Sequence, residues 1–376
     1  MTDDNPLLEL QEYGQSIWLD FIRRGMLASG ELEELIEKDG LRGVTVNPSI
    51  LDKAIRQTDD YEEAIQALVA EGRTAREIYE TLAIEDVQRA ADLFRPMYDD
   101  SDGRHGFVSL EVSPRLAYDS EGTTERVRYL WDKLDRPNVM IKVPATKEGL
   151  PAIEQLTAEG INVNVTLLFG LPRYREVAHA YIGGIEKRVS DGESVERIAS
   201  VASFFLSRIN VLVDPMLEEM IDAGGVESEK AERIRGETAI ASAKLAYQIF
   251  QQVFEQGRFL ESVKEGARVQ RLLWASTSTK NPAYSDIKYV EPLIGPKTVN
   301  TLPLGTIDAY RDHGEPASRI EEDVGEAQET MAILGELGID IAEVTAQLEK
   351  EGVEKFVASY DRVLKALEER GAAAEA

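Results

Sequence analysis

The sequence predicts an α/β fold, a (β/α)8 TIM barrel with additional C-terminal helices. Three observations lead there. Short apolar runs alternate with amphipathic helical segments along the chain, the pattern of βαβ units on a parallel sheet. The runs are continuously apolar rather than alternating, as strands buried on both faces require. There are eight of them, the number that closes this barrel. A doubly wound open sheet is the alternative that the same pattern allows.

The predicted strands are Ser16–Asp20, Gly43–Asn47, Phe107–Val112 and Val139–Val143, then Ile161–Thr166, Val201–Leu206, Gln270–Ser276 and Thr298–Leu302. Helical periodicity fills the intervals: Glu31–Lys38, Tyr61–Ala70, Thr74–Met97, Thr123–Leu134, Gly149–Ala158, Arg173–Arg188, Asp214–Ala223 and Ala231–Gly257. Three more helical stretches follow the last strand, Arg319–Leu337, Asp340–Glu351 and Val353–Arg370, before a tail, GAAAEA, expected to fray. With no internal repeat and no Pro/Gly/Ser-rich boundary, residues 1–376 read as a single domain whose helical C-terminal extension covers about 303–376.

Composition narrows the function classes. The 376 residues are 43% hydrophobic and 30% charged, which suits a globular protein with a sizeable core. Sixty-nine Asp and Glu face 42 Lys and Arg, a formal charge of −27. Phosphate backbones and anionic membranes need clustered cations, so a general binder of nucleic acid is not expected. A single pocket can still carry its own Lys and Arg for a small anion. Without cysteine there are no disulfides, thiolate metal sites or thiol nucleophiles. The start, MTDDNPLLELQEYG, is acidic and polar, unlike a signal peptide, and no apolar stretch reaches the ~18 residues of a membrane span. These features lead to a cytoplasmic expectation.

The stretch NVMIKVPATKEG, residues 138–149, poses the chemical question. Lys142 sits in the middle of an apolar strand, and lysine is seldom fully buried without a partner. Burial disfavours the ammonium, so a neutral amine there can attack a carbonyl and form a Schiff base. A lysine paired with a carboxylate such as Glu111, or one that snorkels out, fits the position equally well. Other polar residues recur at the same strand ends: Asp20, Asn47, Glu111, Asn164 with Thr166, Ser203 with Arg208, and Lys280. That is the end at which such barrels carry their catalytic groups.

Six segments in collinear order resemble those of the transaldolases: GVTVNPSI (43–50), SLEVSPRLAYD (109–119), VMIKVPAT (139–146), INVNVTLLFG (161–170), ASFFLSRI (202–209) and WASTSTKNPAYSD (274–286). The last has the form found in the longer bacterial members of this class I Schiff-base aldolase superfamily. The resemblance spans roughly residues 12 to 370. It implies a (β/α)8 barrel with the Schiff-base lysine at Lys142. Asp20 matches the general acid/base of carbon–carbon cleavage, although it also reads as a helix N-cap. Glu111 and Thr166 match the pair that holds a catalytic water; Glu111 reads equally as the ion-pair partner of Lys142. Asn47 and Asn164 match two amides that hold substrate hydroxyls. Asn47 also suits a strand-to-helix turn before Pro48. Asn164-Val165-Thr166 is a formal glycosylation sequon on what reads as a buried strand.

Ser203, Phe205 and Arg208 match the sixth-strand motif, in which the serine touches the substrate and the arginine binds phosphate through its bidentate fork. Lys280 stands where other members have a second arginine, a departure that keeps the charge and loses the fork. A serine from the same loop is expected to face the phosphate, Ser278 in preference to Ser276. The implied activity is transfer of a dihydroxyacetone unit between sugar phosphates, in the non-oxidative pentose phosphate pathway, with no metal and no organic cofactor. The expected donors are fructose 6-phosphate and sedoheptulose 7-phosphate; the acceptors are erythrose 4-phosphate and glyceraldehyde 3-phosphate. The nearer rival is a fructose 6-phosphate aldolase that releases free dihydroxyacetone. Those relatives are shorter and carry tyrosine where Phe205 stands. A catalytically dead barrel acting as sensor or scaffold would lack the lysine or its acid/base partners, and all are present. A monomer or a homodimer is compatible with the sequence. His105, His179 and His313 are isolated and read as surface or packing residues. No nucleotide-binding glycine motif occurs, and ELEELIEKDG (31–40) reads as a solvated helix face.

Overall fold

The computed structural model describes residues 5–374. Eight parallel strands close into a barrel in sequence order: β1 Gln15–Leu19, β2 Gly43–Thr45, β3 Phe107–Glu111, β4 Val139–Pro144, β5 Val163–Leu168, β6 Ser200–Phe205, β7 Arg271–Ala275 and β8 Thr298–Leu302. β1 pairs with β8 over its whole length, from Gln15 opposite Thr298 to Leu19 opposite Leu302. Nearly every strand residue is buried, because side chains facing the barrel axis and those facing the helical ring are both covered. No described helix is long and apolar enough to cross a membrane.

The expected strands all form, and the departures have local causes. β5 begins two residues later than expected, because Gly160 takes a left-handed turn and Asn162 is consumed in bridging. The Asn162 amide donates to the Pro137 and Val139 carbonyls and accepts from the Ala199 amide. At the far end of β5 the ladder to β6 shifts register between Val165 and Leu168, and Leu167 stands at φ 56°. Such bulges re-aim side chains next to functional sites.

The helices differ more. The segment expected as Ala231–Gly257 is two helices, Val226–Ile234 and Thr238–Phe254. Gly236 breaks it, with φ 83°, its amide bound to Asp214 and its carbonyl to Asn210. Conversely, the stretches 340–351 and 353–370 form one helix, Ile341–Ala374, with Gly352 inside it. A glycine normally weakens a helix interior, so its presence there needs a packing reason. A Cβ on Gly352 would lie 3.0 Å from Leu167 and 3.5 Å from Arg208; the bare backbone lets the helix approach the mouth of the barrel. Its ring of contacts confirms the path. Ser359 meets Ser49 at 2.9 Å, Arg362 pairs with Asp52 at 3.2 Å, and Arg115 with Asp361 at 2.7 Å. These partners lie beyond the C-terminal ends of β2 and β3, so the last helix crosses the barrel at the C-terminal ends of its strands.

Candidate active site

Register places the chemistry. Lys142 on β4 is directly opposite Glu111 on β3 and Asn164 on β5, so the three side chains point into the barrel at one level. The Lys142 Nζ lies 3.0 Å from Glu111 Oε2, with side-chain exposures of only 5% and 1%. It donates to the Val46 carbonyl at 3.4 Å. Lys142 is therefore neither solvated nor snorkelling. Burial raises the Glu111 carboxyl above its ordinary range, opposed first by the charge of Lys142. A carboxylate so placed is a stronger base toward the adjacent ammonium, and moving that proton yields a neutral amine. Neither Glu111 oxygen accepts an aligned hydrogen bond from a described protein group, and the buried Thr166 hydroxyl also has no protein partner.

Asp20 follows β1 and is anchored from β2 and β8. Its Oδ1 accepts from Thr45 Oγ1 at 2.8 Å, and that hydroxyl lies 2.8 Å from Thr301 Oγ1. Burial raises the Asp20 carboxyl, against the opposing charge of Lys142 and the Thr45 hydrogen bond. Asp20 caps no helix: the next one, Arg24–Ser29, follows Arg23 and has no side-chain cap. Asn47 does cap one. Its Oδ1 accepts from the Ser49 and Ile50 amides at 3.0 Å each. The two readings of Asn47 are compatible, because capping uses the oxygen and leaves the NH2 group on the cavity wall. Asn164 is locked by donating to Ser109 at 3.0 Å and accepting from Ser203 at 2.7 Å.

These groups surround a cavity of about 100 Å³ lined by Asp20, Thr45, Asn47, Lys142, Ser203, Phe205, Arg208, Ser276, Thr301 and Phe356, with Ser49 and Ala275. Glu111 stands behind this wall against Lys142 and Asn164 against Ser203, while Thr166, buried, lies opposite Pro144 in the β4–β5 register. The Arg208 guanidinium is held between two rings, 5.4 Å from the centre of Phe205 and 5.8 Å from that of Phe356. One of its nitrogens, Nη1, is buried without a partner. Burial lowers its pKa, against the carboxylates of Glu111 and Asp20. Phe205 itself packs on Phe169, ring centres 5.2 Å apart.

The loop after β7 departs from expectation. Ser276, not Ser278, lines the cavity; it holds φ 55° and its hydroxyl lies 2.9 Å from that of Ser207. Ser278 instead accepts from the Lys280 ammonium. Lys280 is exposed, outside the cavity wall, yet near enough that Arg208 and Lys53 join desolvation in lowering its pKa. Among the described residues no group of three or more His, Asp or Glu is placed to hold a metal ion. His313 is exposed between Asp286 and Asp312.

Sequence reasoning missed Thr45, Ser49, Thr301 and Phe356. Thr45 and Asn47 share a strand face through the two-residue period, so Thr45 was findable. Phe356 was not, because nothing in a distant amphipathic helix tells which barrel opening it crosses.

The model of one family, transaldolase/fructose-6-phosphate aldolase, matches residues 17–367. The chain belongs to this family. It is 46% identical over 371 residues to the transaldolase of Trichodesmium erythraeum (strain IMS101), and 46% over 370 to transaldolase 2 of Nostoc sp. (strain PCC 7120). The transaldolase of Mycobacterium tuberculosis (strain H37Rv) is 46% identical over 367 residues. In each case 97% of both chains is covered. As a family member, this chain combines the closed barrel with a buried lysine on β4.

Proposed function

We propose that this chain is a transaldolase, moving a dihydroxyacetone unit from a ketose phosphate to an aldose phosphate through a Schiff base on Lys142. The observation that carries the reading is the Lys142 amine, buried against Glu111 at 3.0 Å and opening onto a cavity shared with Asp20 and Arg208. Glu111 takes the ammonium proton, and the neutral amine attacks the ketose C2 carbonyl. A water held by Glu111 and Thr166 returns the proton as hydroxide leaves the carbinolamine, giving the iminium. Asp20 accepts the C4 hydroxyl proton while the C3–C4 bond breaks, and the iminium receives the electron pair as an enamine. The aldose phosphate leaves; a second one adds to the enamine by the reverse steps.

Asn47 and Ser203 hold the hydroxyls of the three-carbon fragment, with Asn164 fixing Ser203 from behind, and Arg208 binds the phosphate, with Ser276 and Lys280 beside it. Transfer rather than release is favoured by Phe205, whose ring offers no donor or acceptor near the enamine. The substrates are charged metabolites that do not cross membranes unaided, which fits a cytoplasmic enzyme of the non-oxidative pentose phosphate pathway. A coupled assay with fructose 6-phosphate, run with and without erythrose 4-phosphate, tests the proposal. Sedoheptulose 7-phosphate formation that requires the acceptor is expected; dihydroxyacetone release at equal rate without it would contradict transfer.

A further inference from the structure

The barrel holds a second cavity at the end opposite Lys142. Its volume is about 580 Å³, against about 100 Å³ at the candidate active site. Ser16, Phe107, Met140, Ser200 and Arg271 line it from the beginnings of their strands. Arg42, Arg104, Arg268 and Lys297 enter from the loops leading into β2, β3, β7 and β8. In a chain of net charge −27, this wall carries cations and, among the described residues, no Asp or Glu.

Two of the cations are neutralised: Arg268 pairs with Asp102 at 3.4 Å and Lys297 with Glu255 at 2.7 Å. The other three have no carboxylate partner among the described residues. Arg271 donates to the Ser16 hydroxyl at 3.1 Å and the Arg104 carbonyl at 3.2 Å. Arg42 donates to the Gln11 side chain, while its Nε is buried with no acceptor. His105, 3.3 Å from Ser16, is lowered to about 3 by burial and by Arg271, Arg42 and Arg104, so it adds no charge and stays a neutral polar contact. Burial, then Arg268 and Arg42, push Arg271 down to about 10. Three guanidinium groups gathered without a carboxylate repel one another, and an anion placed among them relieves that repulsion.

We infer that this cavity is a second ligand site, taking an organic phosphate whose anionic group lies against Arg42, Arg104 and Arg271. Guanidinium forks suit phosphate because two parallel N–H donors meet two oxygens. Phe107, Met140, Val269 and Pro296 supply an apolar wall for the body of the ligand. The enclosure by strand beginnings suits a small soluble molecule. β4 joins the two cavities directly: Met140 lines this one and Lys142, two residues on, lines the other.

The test uses phenyl phosphate as probe on the full chain carrying Arg208→Ala and Lys280→Ala, so that the candidate active site no longer competes for phosphate. Melting is compared with sodium chloride at equal ionic strength, which removes general screening of the acidic chain. The expected result is a midpoint raised by at least about 2 °C at saturating probe, and lost when Arg104→Glu or Arg271→Met is added. Arg104 is exposed, so its variant decides the matter if the Arg271 variant fails to fold. No rise in the parent background, or a rise that survives Arg104→Glu, would overturn the site. An equal rise with inorganic phosphate would overturn the assignment of the apolar wall to a ligand body.

Discussion

At the scale of single residues, the site works by withholding water from charges that then act on one another. Asp20 shows the consequence for pH. Burial raises its carboxyl above the ordinary 3.8, so between 3.8 and the raised value the folded chain holds a proton that the unfolded chain has released. Stability therefore falls as pH rises through that interval. Asp20→Asn removes the term while keeping a partner for Thr45. Its unfolding free energy should gain on the parent as pH rises from 3.8 through the raised value, by about 1.4 kcal/mol for each pKa unit of the shift. Activity should fall roughly 10²- to 10⁴-fold, the range for loss of a general acid/base. A free-energy difference that does not change with pH would show that Asp20 titrates normally.

Arg208 leads to a second expectation. Its unpartnered Nη1 and aromatic clamp present a desolvated fork, so Arg208→Ala should cost about 2–3 kcal/mol of phosphate binding, read as a 30- to 150-fold rise in KM. Lys280→Ala should cost less, since its exposed ammonium is a point charge already engaged by Ser278. Equal KM changes in the two variants would contradict this ordering. The positions of Lys142, Glu111 and Asn164 were legible in the sequence because a strand fixes its side-chain directions every second residue. Ser276 was not. Its backbone takes a left-handed turn after β7, where no period reaches.

Among the elements, the strands were legible and the last helix was half so. Continuous burial of β3 to β6 writes itself as apolar runs, and sequence order fixes neighbours once the barrel closes. The helix Ile341–Ala374 shows the limit. Gly352 resembles a helix stop to any local reading, yet tertiary contact with Leu167 and Arg208 requires it inside the helix. Gly352→Val should therefore raise KM for phosphorylated substrates and destabilise the fold by about 1–3 kcal/mol, the usual cost of overpacking. Gly352→Ala, whose one added atom meets only the flexible end of Leu167 at 3.0 Å and which gains helix propensity, should stay within about 1 kcal/mol of the parent. Kinetics and denaturant titration on the two variants check this. A valine variant with parental KM would mean that the helix does not set the Arg208 position.

For the whole molecule the governing number is the charge of −27. Like charges on one compact body repel, and added salt screens exposed charges beyond about 10 Å at 0.1 M. The melting temperature should rise as sodium chloride goes from 20 mM to 0.5 M; a fall would mean that surface ion pairs, which salt weakens, dominate instead. The same number sharpens the two cationic places in the fold. Arg208 at one end of the barrel and the Arg42, Arg104 and Arg271 group at the other are local exceptions to an acidic surface. Composition did not forbid a pocket that carries its own cations. It held no hint that there were two, because the second group is assembled from two loops and the start of β7, far apart in the chain.

The most direct measurement is the site of the covalent intermediate. With fructose 6-phosphate and borohydride, peptide mass mapping should find a reduced three-carbon adduct on Lys142 alone. The adduct should be absent without sugar phosphate and absent from Lys142→Arg. An adduct on Lys147 or Lys280 in place of Lys142, or none at all in an active protein, would contradict the account.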